Sequence, residues 1–191
     1  MNSHEKRTTY FRTTGTQNTK SLLSIVKEYV DKEEIENIIV ATTTGETGAE
    51  AAEAFKGKNT VVVTHCYGFQ QPGEFELKEE LKEEILAKGA KILTATHALS
   101  SAERAIRKKF GTLEPLELIA NTLRLMGEGT KVCVEITLMA ADAGFIPCDR
   151  ELVAVAGTRK GADTALRIKP ANAAKLFELR IRELIAKPSD F

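Results

Sequence analysis

The chain has 191 residues, 27 lysines and arginines against 27 aspartates and glutamates, 42% hydrophobic and 28% charged residues. A chain of this size buries roughly 70% of its unfolded surface and needs no disulfide framework, while zero net charge argues against a nucleic-acid or anionic-membrane partner, which needs a clustered basic excess. No apolar run approaches the ~20 residues of a membrane span, the first 20 residues are polar, and three widely spaced cysteines (Cys66, Cys133, Cys148) suit neither a zinc site nor paired disulfides; one cytoplasmic domain over residues 1–191 is the expectation.

Taken in order, Leu22, Leu23, Val26, Tyr29 and Val30 share one helical face behind Thr19, the expected cap. Residues 37–42 (NIIVAT) are an apolar run too short for a helix, the pattern of a strand buried on both faces. A short Ala-rich helix over 49–55 leads to a second strand at 60–64 (TVVVT), then to a charged helix with Leu77, Leu81 and Ile85 on one side. Residues 91–96 (KILTAT) predict strand three, and 100–110 a helix whose Ser100 and Glu103 have capping-box spacing. Another helix, near 114–126, carries Pro115 in its first turn and Gly127 just past its end. Residues 131–136 (KVCVEI) predict strand four, followed by a short Ala-rich helix ending near Gly144. Strands at 151–156 and 164–169 are separated by only seven residues, too few for a helical crossover, which allows an antiparallel turn. In the tail, Phe177, Leu179 and Ile181 alternate as in an edge strand, a route to a homo-oligomer. Near-strict alternation of helix and strand gives the fold class: α/β, a three-layer sandwich with a mostly parallel sheet.

In such a sheet ligands bind beyond the carboxyl ends of the strands. Strand one ends in Thr42, Thr43, Thr44, Gly45, Glu46, Thr47 and Gly48; strand two in Thr64, His65, Cys66, Tyr67 and Gly68; strand three in Thr96 and His97. Strands five and six are joined by Gly157, Thr158, Arg159, Lys160, Gly161, Ala162 and Asp163. The first loop offers hydroxyl donors, two glycines and the positive end of a helix, the chemistry of a phosphate cradle; the same composition also serves a strand end that caps a helix. It lacks the Gly-Lys-Ser/Thr of a Walker loop and the GxGxxG fingerprint, and Glu46 must point away from any phosphate. The second loop adds Arg159 and Lys160 between glycines, and reads equally as an anion-binding loop or a solvated turn. His65 and His97 suit acid–base work or simple strand-end hydrogen bonding, and two histidines without a third donor make a poor metal site. Glu135, inside an apolar run, must find a partner or reach the site edge, and Asp142 could orient a ligand hydroxyl or satisfy a loop.

From NTKSLLSIV through TTTGETG, VVVTH and VEITLMAADAGFIP to GTRKGADTALRIKPA, the sequence resembles a group of small stand-alone proteins related to the C-terminal α/β domain of pyruvate kinase. In pyruvate kinases the Thr/Ser-rich loop after the first strand of that domain binds the phosphate of an allosteric sugar ligand, and Thr43, Thr44, Gly45, Glu46 and Thr47 match it. The catalytic barrel of ~250 residues has no room here, so the resemblance does not imply phosphoryl transfer. Thr42, Thr44, Gly45, Thr47 and Ala51 also have the TxTGxTxxxA spacing of the flavodoxin phosphate loop, and the small pyruvate-kinase-related group is similar in pointing to flavin mononucleotide (FMN). The chain has no Trp, so Tyr67, Phe69 or Phe145 would supply the ring contacts. The resemblance therefore implies an FMN-binding protein, with redox chemistry left open. The alternatives are a non-catalytic regulatory module for a sugar phosphate or other phosphorylated metabolite, and a His-assisted hydrolase or isomerase.

Overall fold

The computed structural model describes residues 3–191. The strands are β1 (Thr9–Phe11), β2 (Asn37–Ala41), β3 (Asn59–Thr64), β4 (Lys91–Thr94), β5 (Leu152–Ala156), β6 (Thr164–Lys169) and β7 (Arg180–Pro188), and the helices α1 (Thr19–Lys32), α2 (Glu46–Ala54), α3 (Glu79–Ala87), α4 (Ser101–Phe110), α5 (Pro115–Arg124) and α6 (Glu128–Asp142). Strand alternation divides the apolar runs between two helical coverings. Ile38, Val40, Val153 and Val155 pack with Leu22 and Val26 of α1 and with Ala51 and Phe55, whereas Ile39, Leu152, Ala154 and Ala156 pack on Cys133, Ile136 and Met139 of α6. Burying one such large side chain is worth ~1.5–3 kcal/mol, so both faces hold the sheet.

The sheet has seven strands in the order β1-β7-β6-β5-β2-β3-β4. Among the described residues only the two pairs made by β6 are antiparallel, which realises the turn that the seven-residue spacing allowed. The remaining neighbours are parallel. From β2 the chain steps outward to β3 and β4, crosses back through α4, α5 and α6, and from β5 steps the other way to β6 and β7. The direction of winding therefore reverses between β2 and β5.

Three expectations are corrected. Residues 131–136 are not a strand: they lie inside α6, a 15-residue helix. β-branched residues suggested a strand, but α6 is covered on two sides, with Cys133, Ile136 and Met139 on the sheet and Val134 and Leu138 against Leu99 and Ala120. A helix buried all round lacks the polar stripe that would announce its period. Thr137 can be buried there because its hydroxyl donates to the Cys133 carbonyl at 2.7 Å. Second, β7 is not an edge strand, since β1 pairs with it in parallel through Thr9, Tyr10 and Phe11. Third, neither expected cap forms: the Thr19 hydroxyl accepts the Ala162 amide at 2.9 Å, and Glu103 accepts the Leu116 amide at 2.8 Å rather than closing a box with Ser100.

At the amino edge of the parallel strands, Arg167 ties the architecture together. It pairs with Glu33 at 3.0 Å, Glu183 at 3.1 Å and Glu151, joining the end of α1 to β7 and the segment entering β5.

Candidate functional site at the carboxyl edge of the sheet

The β2–α2 loop is built by Thr42, whose hydroxyl oxygen accepts the amides of Gly45 at 3.2 Å and Gly48 at 3.3 Å. That fold-back requires Gly45 at φ +113, where a Cβ would also sit 2.6 Å from the Leu81 Cβ. Gly48 is fixed by packing: a Cβ there would lie 2.7 Å from Val62. Thr43 is half-buried and Thr47 buried at the first turn of α2. The Thr44 hydroxyl donates to the Glu46 carboxylate, which also receives Lys78 Nζ at 2.7 Å. Hydrogen bonding from Lys78 and Thr44 holds the Glu46 carboxyl down at about 2. Lys78 thus neutralises the one acidic charge of this loop.

His65, Phe69 and His97 gather into one aromatic group. His65 stacks on Phe69 with centroids 3.9 Å apart, Phe69 lies 5.0 Å from His97, and His65 is 5.5 Å from His97. Each histidine has a carboxylate at its Nδ1: Glu76 at 2.7 Å from His65, and Glu135 at 3.5 Å from His97. Glu135 also accepts the Leu99 amide at 3.0 Å and Lys131 Nζ at 2.5 Å, one helical turn away on α6. Burial pushes the Glu135 carboxyl up, but His97 and Lys131 outweigh it and hold it at about 2. His97 Nε2, by contrast, is buried with no partner among the described residues.

The β5–β6 loop reaches the same edge because β6 starts where β5 ends. Asp163, 1% exposed, accepts the Thr158 amide at 3.1 Å and the Thr164 hydroxyl at 2.8 Å. With the Ala162 amide on Thr19, the polar groups of Ala162 and Asp163 shape the loop itself. Gly157 has no room for a side chain, since its Cβ would meet the Gly161 carbonyl oxygen at 2.5 Å. Arg159 and Lys160 are exposed, and the Thr158 hydroxyl is buried without a partner among the described residues.

A family model described as pyruvate kinase, alpha/beta domain, matches residues 20–168, well over half of the chain. The chain belongs to that family. It is similar to two solved structures of pyruvate kinase from Cryptosporidium parvum, one of them in complex with ADP, at 16% identity and TM-scores of 0.37 and 0.38. Each likeness covers 78% of this chain and 22% of the kinase, so the chain spans about a fifth of the length of those enzymes. In this pyruvate kinase alpha/beta-domain protein, β1 and β7 lie outside the matched residues.

Not every candidate residue of the family member converges. Tyr67 stacks on Phe75 at 4.3 Å and is 65% exposed, and Gly68 bonds through its amide to Glu74, so both serve the loop after β3. Thr96 is exposed. Phe145 is ruled out as a ring contact here: its carbonyl accepts the Asn59 side chain at the start of β3, on the opposite edge. Asp142 likewise binds Asn172 and the Ala173 amide at the far end of α6. Sequence reasoning missed Glu76 and Lys131; the i, i+4 spacing of Lys131 and Glu135 was the available signal once 128–142 is read as a helix. No helix of the described residues is long and apolar enough to cross a membrane.

Proposed function

We propose that this chain binds flavin mononucleotide, a small phosphorylated ligand, at the carboxyl edge of its sheet. The observation that carries this reading is a pair of buried polar atoms without partners among the described residues, Thr158 Oγ1 and His97 Nε2, on separate loops of one edge. A third such atom, Thr60 Oγ1, lies at the other end of β3. A buried unpaired polar group costs ~1–3 kcal/mol, and a ligand that pairs it recovers that energy on binding. The edge is also where winding reverses between β2 and β5, the position at which open α/β sheets take ligands.

The residues suit the group in two further respects. The first turn of α2 presents amides beside Thr43 and Thr47 for the phosphate, while Lys78 already balances Glu46 and exposed Arg159 and Lys160 add positive charge. His65, Phe69 and His97 offer flat surfaces for the ring system, the role that the missing Trp would otherwise fill. Flavin, when bound, would supply electron-transfer chemistry; His97 would hold a hydrogen bond at Nε2, oriented by Glu135.

The test is absorption in the flavin bands of freshly purified protein, followed by calorimetry with FMN and riboflavin. Thr47→Val should weaken FMN by ~1.5–3 kcal/mol, the worth of a hydrogen bond to a charged group, and Thr44→Val by less because its hydroxyl is committed to Glu46. Riboflavin, which lacks the phosphate, should change little. Equal losses for both ligands would remove the phosphate from this loop, and binding of a sugar phosphate without FMN would favour a regulatory module.

A further inference from the structure

We propose that the cavity between α4 and α5 is a second site, which takes a small oxyanion, a carboxylate or a phosphate, on the guanidinium of Arg104. The cavity measures about 270 Å³ and is lined by Arg104, Arg107 and Arg124 over a floor of Leu99 and Ala120. Three guanidiniums around one hollow repel each other unless each finds a counter-charge. Two have one: Arg107 pairs with Glu117 at 2.5 Å, and Arg124 with Glu128 at 2.6 Å. The remaining carboxylate of the wall, Glu103, is turned to the Leu116 amide at the start of α5. Arg104 is left without an ion pair among the described residues, and its guanidinium lies 5.0 Å above the Phe69 ring.

That placement pre-organises Arg104. Cation–π attraction to the ring restrains the side chain, and its N–H groups have no hydrogen-bond partner among the described residues, which leaves them free to grip an oxyanion through two parallel hydrogen bonds. Ser100, at the start of α4, makes no capping bond, and its hydroxyl is a second donor on the wall. The volume is just under the ~300 Å³ lower end of ligand pockets, which suits a small acid rather than a nucleotide. Phe69 neighbours both Arg104 and His97, at 5.0 Å from each, so an anion held here would sit beside the aromatic group of the other site. The inference uses none of the residues assigned to the phosphate of FMN and does not depend on that reading.

The experiment is a two-dimensional amide NMR titration of flavin-free protein with malonate and, separately, inorganic phosphate at constant ionic strength. The expected result is saturable shifts at Ser100 and Asn121 that weaken about tenfold or more in Arg104→Gln, as losing a charged hydrogen bond implies, and persist in Thr44→Val with Thr47→Val. Tighter malonate assigns a carboxylate, and tighter phosphate a phosphate ester. No residue of α4 is buried, so Arg104→Gln should keep the fold, which its spectrum reports directly. Undiminished binding in Arg104→Gln, shifts confined to residues 42–48, or no saturable shift by ~50 mM of either anion would overturn the proposal.

Discussion

Glu135→Gln tests whether the Lys131–Glu135 pair of α6 holds the site edge in place. The two side chains are 7% and 3% exposed, and the substitution leaves the Lys131 ammonium buried without its carboxylate. Breaking a buried pair from one side costs ~3–5 kcal/mol. The lower end, about 3 kcal/mol, is expected because Gln still accepts the Leu99 amide. With a urea m value of ~2 kcal/mol/M, the unfolding midpoint should fall by ~1.5 M at neutral pH. Acid titration gives a second measure. The folded carboxyl titrates at about 2 against an ordinary 4.5, so its stabilisation is fully present above the unfolded value and is lost as pH falls from about 4.5 toward 2. That gap corresponds to ~3 kcal/mol, consistent with the substitution, and the acid limb should shrink in the Gln variant. Replacing both residues by apolar ones, Lys131→Met with Glu135→Leu, should recover stability to within ~1 kcal/mol of the wild type. A loss below ~1 kcal/mol in the single variant, or an unchanged acid limb, would refute the reasoning.

Two further substitutions probe how the frame supports the edge. Gly48→Ala should destabilise by ~1–3 kcal/mol in the same urea assay, because the new Cβ would meet Val62 at 2.7 Å and Ile85 at 3.0 Å inside the core. Arg167→Met should cost ~2 kcal/mol in that assay by leaving Glu33, Glu151 and Glu183 close together without their shared cation.

Which parts of this molecule were legible in the sequence follows from what each signal depends on. β2 and β3 were readable because NIIVA and TVVVT are short, apolar and bounded, a pattern that only burial on both faces explains. β1 carries three residues and no apolar pattern, and takes its place only by pairing with β7, which no local signal encodes. The candidate loops were legible for a separate reason: glycines and hydroxyls at strand ends answer to backbone geometry, as Gly45 and Thr42 do. The partnering of Thr44 with Glu46 and Lys78 was not, because Lys78 arrives from 32 positions further along the chain.

Residues 131–136 show where period alone decides chemistry. Read as a strand, Lys131 and Glu135 would share a face yet stand ~13 Å apart, each needing its own partner. Read as a helix, the same two residues are one turn apart, ~6 Å along the axis, and neutralise each other within a single buried bond. Removing this segment from the sheet also lets β5 sit directly beside β2. Only then do the loops that follow them, 42–48 and 157–163, flank the point where the winding reverses, and only then does Glu135 stand behind His97. A single change of period in one apolar run thus brings two unrelated strand ends and a stray buried carboxylate together at one edge of the sheet.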